Sequence, residues 1–425
     1  MSITPHLNNV ILYGINSVTE LLFKNIEGDN IIATTDGNGE FGQQPILSLT
    51  QLKEHRDRKV VICSIFVDDI ITSLLSIGFH IEQILFFHMA NNQIESACDF
   101  LISSCKKDDI LYAVYDLGSA IATFDATNFA VLAEAKRIEL NKKHIHFIVV
   151  PKRNFQQHIR LYAVHAEDDV NWRVNHILNP LFQCIKSTTG ISYLNAREEL
   201  QGILGNNANV FPDNFSLEHT QPPMGFPEII TQVRSGVDIA HLEAPETAKR
   251  LVDNYINNHC KDKQVITITM REYSMHEQRN SSVDAWCKFL AQLDTDKYYP
   301  IIIRDTYQAT TPIAESLSHI EQFPLASMDI TVRVALYQRA FLNFSIPTGP
   351  AYMFYFIKPC PSIVFRTFND AHFATSKVTV EKGGFFFEQQ PEFRHHKNQR
   401  VFWGEESYEN IVSAFSSFEK DFAND

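Results

Sequence analysis

The sequence lacks several features that would assign it at once to a broad class of protein. Its seven cysteines form no CxxC pair, which argues against a zinc knuckle or a disulfide framework and favours a reducing cytoplasm. The formal net charge is −13 and no run of Lys and Arg occurs, so nucleic acid is not an expected partner. The amino terminus shows no signal segment, and no uncharged apolar run reaches the roughly 18 residues that span a bilayer.

What the chain does contain is the alternation of strand and helix segments that indicates an α/β fold. Its 425 residues are 44% hydrophobic and 20% charged, which is ordinary for a globular protein and long enough for two or three domains. Strand and helix segments alternate in the order typical of doubly wound parallel sheets. We predict three Rossmann-like units: a small domain at 1–107, a lobe at 108–228 and a lobe at 229–425.

The first unit shows the order of elements of a nucleotide-binding half-fold. A strand ends at Gly14, a helix opens after Asn16 and Ser17, and Asp36 follows the second strand. This order resembles the dinucleotide-binding fingerprint, in which glycines allow the backbone to approach a pyrophosphate. Only one of the three fingerprint glycines is present. The alternatives are therefore a bound cofactor at these four residues or an empty docking or regulatory module.

The second unit supplies candidate general bases. Asp116 ends the strand 110–116, and Asp125 opens a long amphipathic helix. Both positions lie at the carboxyl edge of the predicted sheet, where ligands bind in open α/β folds. Asp125 also fits a helix cap or a first-turn acid. Competing candidates for the base lie after the next strand: His165, Asp168 and Asp169.

The connection at 204–228 is rich in Asn, Pro and Gly. It shows no sustained periodicity, so we predict an irregular link between the two lobes. Long irregular connections are often found near functional sites.

The third unit carries the polar groups that we expect to form a ligand site. The strand at 265–269 runs into a loop with four candidates, namely Arg271, His276, Arg279 and Asn280. Another strand ends at Arg304, and the turn Thr348-Gly349-Pro350 precedes a helix. Arginine forks and helix-start N–H groups are the devices that bind phosphate without a metal. The alternative for Arg271 is a surface salt bridge with Glu272 or Glu277.

Tandem lobes of this kind, together with Ile268-Thr269-Met270-Arg271, the Arg279-Asn280-Ser281 turn and Thr348-Gly349-Pro350, resemble the GT-B class of nucleotide-sugar glycosyltransferases. The resemblance covers about residues 108–422. It implies that the carboxyl-terminal lobe holds the donor nucleotide and the amino-terminal lobe the acceptor. Arg271 is similar in placement to the first-strand arginine of GT-B fucosyltransferases, but Glu272 and Tyr273 replace the paired arginine and the aspartate, so a fucose donor is not implied.

The resulting hypothesis is a cytoplasmic glycosyltransferase that moves a sugar from a nucleotide-sugar to a glycan or glycoconjugate acceptor. No DxD-type acidic pair stands out, so we expect no obligatory metal or other cofactor. Two alternatives stay open: an NAD(P)-linked oxidoreductase or epimerase that uses the first unit, and a non-catalytic glycosyltransferase-like scaffold. The sequence also leaves open an oligomer and a peripheral association with a membrane or a biosynthetic complex.

Overall fold

The computed structural model describes residues 7–89, 92–102, 107–152, 167–205, 209–218, 224–273, 277–370 and 375–423. The chain divides into two compact units, Met1–Lys106 and Lys107–Asp425. Within the described ranges, no helix combines the length and apolar character that a membrane crossing requires.

Unit 1 is an α/β domain with a six-stranded sheet and a separate two-stranded ribbon. Its elements, in chain order, are β1 (Ile11–Tyr13), α1 (Ser17–Asn25), β2 (Ile31–Thr34), β3 (Glu40–Phe41), β4 (Gln44–Pro45), β5 (Leu47–Ser48), β6 (Val60–Ile62), α2 (Val67–Ser76), β7 (Ile84–His88), β8 (Gln93–Ser96) and α3 (Ala97–Ile102). The main sheet has the order β5-β2-β1-β6-β7-β8, and only the β7–β8 pair among its described strands is antiparallel. The strand order reverses beside β1, so the loops after β1 and β6 meet at one edge.

Unit 2 contains two sheets, which define a first and a second lobe. The first lobe comprises β9 (Ile110–Asp116), α4 (Ala126–Glu139), β10 (His144–Val150), α5 (Glu167–Arg173), a π-helical stretch (Val174–Leu178), α6 (Asn179–Gln183), β11 (Thr188–Tyr193), α7 (Glu199–Leu204) and β12 (Asn209–Phe211). Its parallel sheet has the order β11-β10-β9-β12. Helix α8 (Phe226–Arg234) then contains the lobe boundary that the sequence predicted at 228.

The second lobe is a six-stranded parallel sheet covered by helices. Its elements are α9 (Glu246–His259), β13 (Gln264–Thr269), α10 (Val283–Leu290), β14 (Tyr298–Ile303), β15 (Glu321–Gln322), α11 (Pro324–Met328), α12 (Ile330–Arg339), β16 (Leu342–Ser345), α13 (Gly349–Tyr352), β17 (Ser362–Arg366), α14 (Lys377–Lys382), β18 (Gln399–Trp403) and α15 (Tyr408–Phe422). The sheet order is β15-β14-β13-β16-β17-β18. Strand β13 is central because its alternating β-branched residues are buried on both faces.

The two lobes of unit 2 share one apolar core. Buried side chains of the first lobe, such as Phe147, pack in the same cluster as Ile301 and Val364 of the second. The segment that joins the lobes is built into both: Leu242 bridges to Ile185 in one and to Ile357 in the other. The lobes are therefore fastened to each other by packing as well as by the chain.

Three local differences separate the sequence prediction from the structure. The link at 204–228, predicted as irregular, contributes the short strand β12, which pairs with β9. The sequence of segment 313–320 favours a helix, but the segment forms only the 3-10 turn Glu315–Leu317. Helix α14 was not predicted at all. All three are short elements, and strand or helix periodicity is weakest where an element is short.

Candidate functional site

The loop after β13 and the turn after β16 meet at the carboxyl edge of the second-lobe sheet. The two strands are neighbours and parallel, with Thr269 opposite Ser345. Arg279 in the first loop donates a long hydrogen bond, 3.4 Å, from Nη2 to the carbonyl of Pro347. The stretch 265–282 and the Thr348 turn therefore lie on one edge of one sheet, which is the arrangement that a shared ligand site requires.

Asn280 holds the loop that carries Arg271. Its side-chain oxygen accepts from the Tyr273 backbone N–H at 3.1 Å and from the Arg271 guanidinium, and its amide nitrogen donates to the Tyr273 carbonyl at 3.1 Å. Ser281 closes the same loop, since its hydroxyl accepts from the Arg271 N–H at 3.1 Å. Asn280 is thus engaged in positioning Arg271, which is 9% exposed.

The two arginines of this loop repel each other. Burial lowers the pKa of Arg271, and the charge of Arg279 lowers it further. Burial likewise lowers the pKa of Arg279, with Tyr352 opposing the change and Arg366 adding to it. In the part of the chain that is described, Arg279 has no carboxylate partner within ion-pair distance. The cluster of like charges therefore favours an anion at this edge.

Arg304, also predicted to bind the donor nucleotide, lies beside this cluster, but its charge is already neutralised by an ion pair. Its Nε and Nη2 form a two-point ion pair with Glu272 at 2.8 and 2.6 Å, and Nη1 donates to the Thr311 carbonyl at 2.6 Å. The guanidinium is 6% exposed. Its guanidinium joins the end of β14 to the loop after β13, so Arg304 supports the loop. All three of its nitrogens already donate to protein oxygens, which leaves few N–H groups for a ligand.

A pocket opens next to Arg279, and we call it the edge pocket. It has a volume of about 610 Å³, and its walls include Arg279, Asn280, Pro347, Phe365, Phe368 and Glu406. This volume lies within the range of about 300–1,000 Å³ for small-molecule sites. The edge pocket is therefore large enough for a nucleotide.

Glu406 in this pocket has an unusual proton affinity. Burial raises its pKa from 4.5 to about 7, although the Ser282 N–H and the Trp286 indole N–H both donate to the carboxylate. The two donors favour the charged form, and burial outweighs them. Sequence reasoning missed this residue because its burial depends on contacts with residues more than a hundred positions away.

The Thr348-Gly349-Pro350 turn begins α13 as predicted. Thr348 is the N-cap, and its hydroxyl accepts from the Ala351 N–H at 3.3 Å. Gly349 faces the first lobe: an added Cβ would lie 2.6 Å from Cδ2 of Phe124. The glycine thus permits close contact between the lobes at the residue that precedes Asp125.

Asp116, one of the two predicted bases, is held in a structural ion pair. Its carboxylate oxygens accept from Arg197 at 2.6 and 2.7 Å, and the Gly118 N–H donates at 2.7 Å. The acid side chain is 3% exposed. Because both carboxylate oxygens are occupied by Arg197 and the side chain is enclosed, Asp116 is poorly placed to contact a substrate hydroxyl.

Asp125, the other predicted base, is accessible and lies in a concave wall. It is not a helix N-cap by hydrogen bonding, since no side-chain cap bond forms. The side chain is open to solvent, yet surrounding protein desolvates it and raises the pKa of its carboxyl above the usual value, with a Thr123 hydrogen bond opposing the rise. Exposure together with desolvation is expected for a group in a cleft, and it suits a general base.

The cleft beside Asp125 is a second cavity, which we call the interlobe pocket. It has a volume of about 290 Å³, and its walls include Asp125, Asn128, Phe226, Tyr352, Arg366 and Phe385. Arg366 ends β17, just as Arg271 follows β13. The sequence contains this signal, since Arg366 directly follows the apolar residues 363–365, but Arg366 was not among the predicted site residues.

Several other predicted residues lie away from this edge or outside the described residues. His276, His165 and the side chain of Asp168 belong to the undescribed part, and Asp169 pairs with Arg173 at 2.7 Å. In unit 1, Asn16 caps α1 by accepting from the Val18 N–H at 2.9 Å. The four candidates of that unit, Gly14, Asn16, Ser17 and Asp36, all lie at or beyond the carboxyl ends of β1 and β2. Cofactor binding there stays a prediction.

Metal-ligating side chains do not cluster within the described ranges. No group of three or more His, Cys, Asp or Glu residues there is arranged to hold a metal ion.

Comparison with known proteins gives structural similarity only. No protein-family model matches the chain, and no curated protein matches it by sequence. A glycosyl transferase of family 9 from Veillonella parvula DSM 2008 is 10% identical with a TM-score of 0.40, over 74% of this chain and 91% of that one. The ADP-heptose LPS heptosyltransferase II of E. coli is 8% identical with a TM-score of 0.40, over 73% and 98%. The wall teichoic acid polymerase TagF is 10% identical with a TM-score of 0.28, over 76% and 83%. The first two of these proteins are sugar transferases by name, and the third is a polymerase.

Proposed function

We propose that unit 2 is a glycosyltransferase that takes a sugar from a nucleoside diphosphate donor without a metal ion. The observation that carries this proposal is the pair Arg271 and Arg279 at the carboxyl edge of the second-lobe sheet. Burial lowers the pKa of both, Arg279 lowers that of Arg271 further against an opposing effect of Asp305, and Arg366 lowers that of Arg279. Arg279 has no carboxylate partner in the described part of the chain. Such a cluster is stabilised when a diphosphate binds.

The donor nucleotide is assigned to the edge pocket. Its volume of about 610 Å³ suits a nucleoside. Because Arg279 forms part of its wall, a nucleotide bound there would place its diphosphate next to the pair Arg271 and Arg279. The Thr348 turn contributes less, because α13 has only four residues and the Thr348 hydroxyl already accepts from Ala351. The arginine forks therefore supply most of the charge neutralisation.

Asp125 is the proposed general base. In this mechanism it accepts the proton of an acceptor hydroxyl while that oxygen bonds to the anomeric carbon of the donor sugar. The bond from that carbon to the diphosphate oxygen breaks, and the diphosphate leaves with the electron pair. Its added charge is stabilised by Arg271 and Arg279. The raised pKa of Asp125 supports this role because a stronger base accepts the proton more readily.

Nucleotide binding is the direct test of the donor site. Thermal stabilisation is measured with UDP, GDP, ADP and CMP, and with NAD as a probe for the cofactor hypothesis of unit 1. At least one nucleoside diphosphate should raise the unfolding temperature, and Arg279→Gln should weaken its binding roughly tenfold or more, as loss of a charge-assisted hydrogen bond does.

A matched control is Arg339→Gln, which removes an arginine from the same lobe. Arg339 pairs with Asp253 at 2.6 Å on the exposed face of α12, so its loss should leave nucleotide affinity unchanged. If no nucleoside diphosphate binds, or if Arg279→Gln and Arg339→Gln bind it equally well, the donor-site assignment is wrong.

A further inference from the structure

Arg366 carries a buried positive charge that the described part of the chain does not neutralise. Its side chain is 4% exposed, and its Nε is fully enclosed without a hydrogen-bond partner. No carboxylate of the described residues lies within ion-pair distance of it. A buried unpaired charge is strongly unfavourable, so the arrangement is expected to persist only if a ligand supplies the anion.

The guanidinium is held in a defined orientation. Its Cζ lies 3.8 Å from the centre of the Phe385 ring, a cation–π contact that only partly offsets desolvation. The N–H donors of a guanidinium lie around the edge of its plane in a fixed fork. That geometry favours a planar or tetrahedral oxyanion over a neutral group.

A second unused donor lies near the same charge. The Tyr355 hydroxyl is buried without a hydrogen-bond partner. Burial raises the pKa of this hydroxyl, and the charge of Arg366 opposes the rise, so the two groups are close. Among the described residues neither the Arg366 Nε nor the Tyr355 hydroxyl has a hydrogen-bond partner. Tyr355 does not line the interlobe pocket, so a ligand there is expected to contact Arg366 and not Tyr355.

The remaining walls of the interlobe pocket fit a sugar ring. Phe226, Tyr352 and Phe385 provide aromatic surface, while Asp125, Asn128 and Thr379 provide hydrogen-bonding groups. The volume of about 290 Å³ is at the lower limit for ligand pockets and less than half that of the edge pocket. It suits one sugar residue and is small for a nucleotide.

We propose that the interlobe pocket binds an acidic sugar, whose carboxylate or phosphate ester is held by Arg366 while its ring lies beside Asp125. This inference rests on the proposed function, because it places the sugar next to the general base. It adds the substrate class: one of the two sugars in the reaction carries a negative charge. The acid belongs either to the sugar that is transferred or to the acceptor.

A competing assignment makes Arg366 a third arginine of the donor diphosphate site. The charge of Arg366 does reach Arg279, since it lowers the pKa of that residue. The two side chains nevertheless line different cavities, Arg279 the edge pocket and Arg366 the interlobe pocket. The two assignments predict different losses in an Arg366 variant. A role in the interlobe pocket predicts weaker binding of an acidic sugar, and a role in the donor site predicts weaker binding of a nucleoside diphosphate.

Binding of three probes separates these assignments. Saturation-transfer NMR and calorimetry are recorded with glucuronate, glucose 6-phosphate and neutral glucose, in the presence of the nucleoside diphosphate that the thermal screen identifies. The wild type should bind at least one of the acidic sugars and prefer it to glucose. Arg366→Gln should weaken that binding roughly ten- to hundred-fold, as loss of a charged hydrogen-bond partner does, and leave nucleoside diphosphate affinity unchanged.

Arg400→Gln is the matched control. Arg400 lies on the neighbouring strand β18. Its Cζ lies 5.1 Å from the centre of the Phe418 ring, and its guanidinium pairs with Asp421 at 2.9 Å. The variant therefore removes an arginine that contacts an aromatic ring but does not line the interlobe pocket. It should bind acidic sugars like the wild type. Thermal unfolding shows whether each variant folds, and Arg366→Gln should be at least as stable as the wild type because it removes an unpaired buried charge.

Two sources of the acid give different results with donors. If the transferred sugar carries it, UDP-glucuronate binds the wild type more tightly than UDP-glucose, and Arg366→Gln removes the difference. If the acceptor carries it, the two donors bind alike and free glucuronate binds in addition to saturating UDP. Either result supports the proposal.

Three results would overturn the proposal. The first is that the acidic sugars bind no better than glucose while nucleoside diphosphates bind, which leaves the proposed function intact. The second is that Arg366→Gln weakens nucleoside diphosphate binding, which transfers Arg366 to the donor site. The third is that Arg366→Gln and Arg400→Gln bind the acidic sugars equally. Failure of every nucleoside diphosphate to bind would instead contradict the proposed function, and the sugar probes alone would then decide the role of Arg366.

Discussion

The ring of Phe124 occupies the space where a side chain at position 349 would stand. A Cβ added to Gly349 would lie 2.6 Å from Cδ2 of Phe124 and 2.9 Å from its Cβ and Cγ. Phe124 belongs to the first lobe and Gly349 to the second. Asp125, the proposed base, directly follows Phe124 in the chain. This contact therefore sets the distance between the proposed base and the strand ends of the facing sheet.

Gly349→Ala should destabilise unit 2. The new methyl group overlaps Phe124 at its Cβ as well as its ring, so the backbone must move, at a cost of about 1–3 kcal/mol. Chemical denaturation measures this loss. Transfer activity should fall further than stability alone explains, because the displaced residue adjoins Asp125.

Gly202→Ala is the control for this substitution. Gly202 lies within α7, and an added Cβ there meets nothing within 4 Å. Alanine in a helix interior is favoured over glycine by roughly 0.5–1 kcal/mol. A stability loss of equal size in both variants would show that the Phe124 contact is unimportant.

Asp125→Asn should abolish transfer while donor binding persists. The amide cannot accept a proton, and loss of a general base costs about 10²–10⁴-fold in rate. In the wild type, kcat/KM should fall as the pH drops through the raised pKa of Asp125. This fall should occur at a higher pH than it would for a base with the ordinary aspartate pKa of about 3.9. Unchanged turnover in Asp125→Asn would assign the base elsewhere.

Asp116→Asn should act on stability instead of chemistry. The substitution leaves Arg197 buried without its carboxylate, and breaking such a pair typically costs about 3–5 kcal/mol. The free energy of unfolding measures the loss. If Asp116→Asn folds with full stability and loses only activity, Asp116 has a catalytic role that its ion pair does not suggest.

Glu406 should make stability fall between about pH 4.5 and pH 7. Its pKa is raised from 4.5 to about 7 in the folded state, so the folded protein holds a proton that the unfolded chain has already released. The resulting stabilisation is complete below pH 4.5 and is lost as pH rises through 7. Its size is about 3 kcal/mol, since the pKa rises from 4.5 to about 7 and each pH unit of that rise corresponds to about 1.4 kcal/mol.

Denaturation of the wild type and Glu406→Gln at pH 5 and pH 8 isolates this contribution. Glutamine has no proton to exchange, so the difference in stability between the two pH values should shrink by that amount. A lower overall stability of the variant does not affect the comparison, because only the pH-dependent part is used. Equal pH dependence in both proteins would show that Glu406 titrates normally.

The sequence predicted the long elements of unit 2 well because their periodicity is strong. The strand at 110–116 has the expected bounds, and so does the strand that leads into Arg271 to within one residue. The partners of charged residues were harder to foresee. Asp116 finds Arg197 some eighty positions away, and a linear pattern contains no information about that pairing.

The candidate site was predicted in part for the same reason. That the loops after β13 and β16 would lie on one edge followed from the strand order of a doubly wound sheet. Which arginines would remain unpaired did not follow, since Arg304 is bound by Glu272 whereas Arg366 has no such partner among the described residues. Counter-ions depend on side-chain packing, and local sequence does not specify them.

The common core of unit 2 limits how the protein can admit and release substrates. Leu242 is bonded to both lobes, and apolar side chains from both sheets pack in one cluster. A hinge opening of the lobes as rigid bodies would expose that cluster to water and is therefore costly. Short loop movements at the rim would avoid this cost, so we expect the two proposed subsites to keep a fixed separation during turnover.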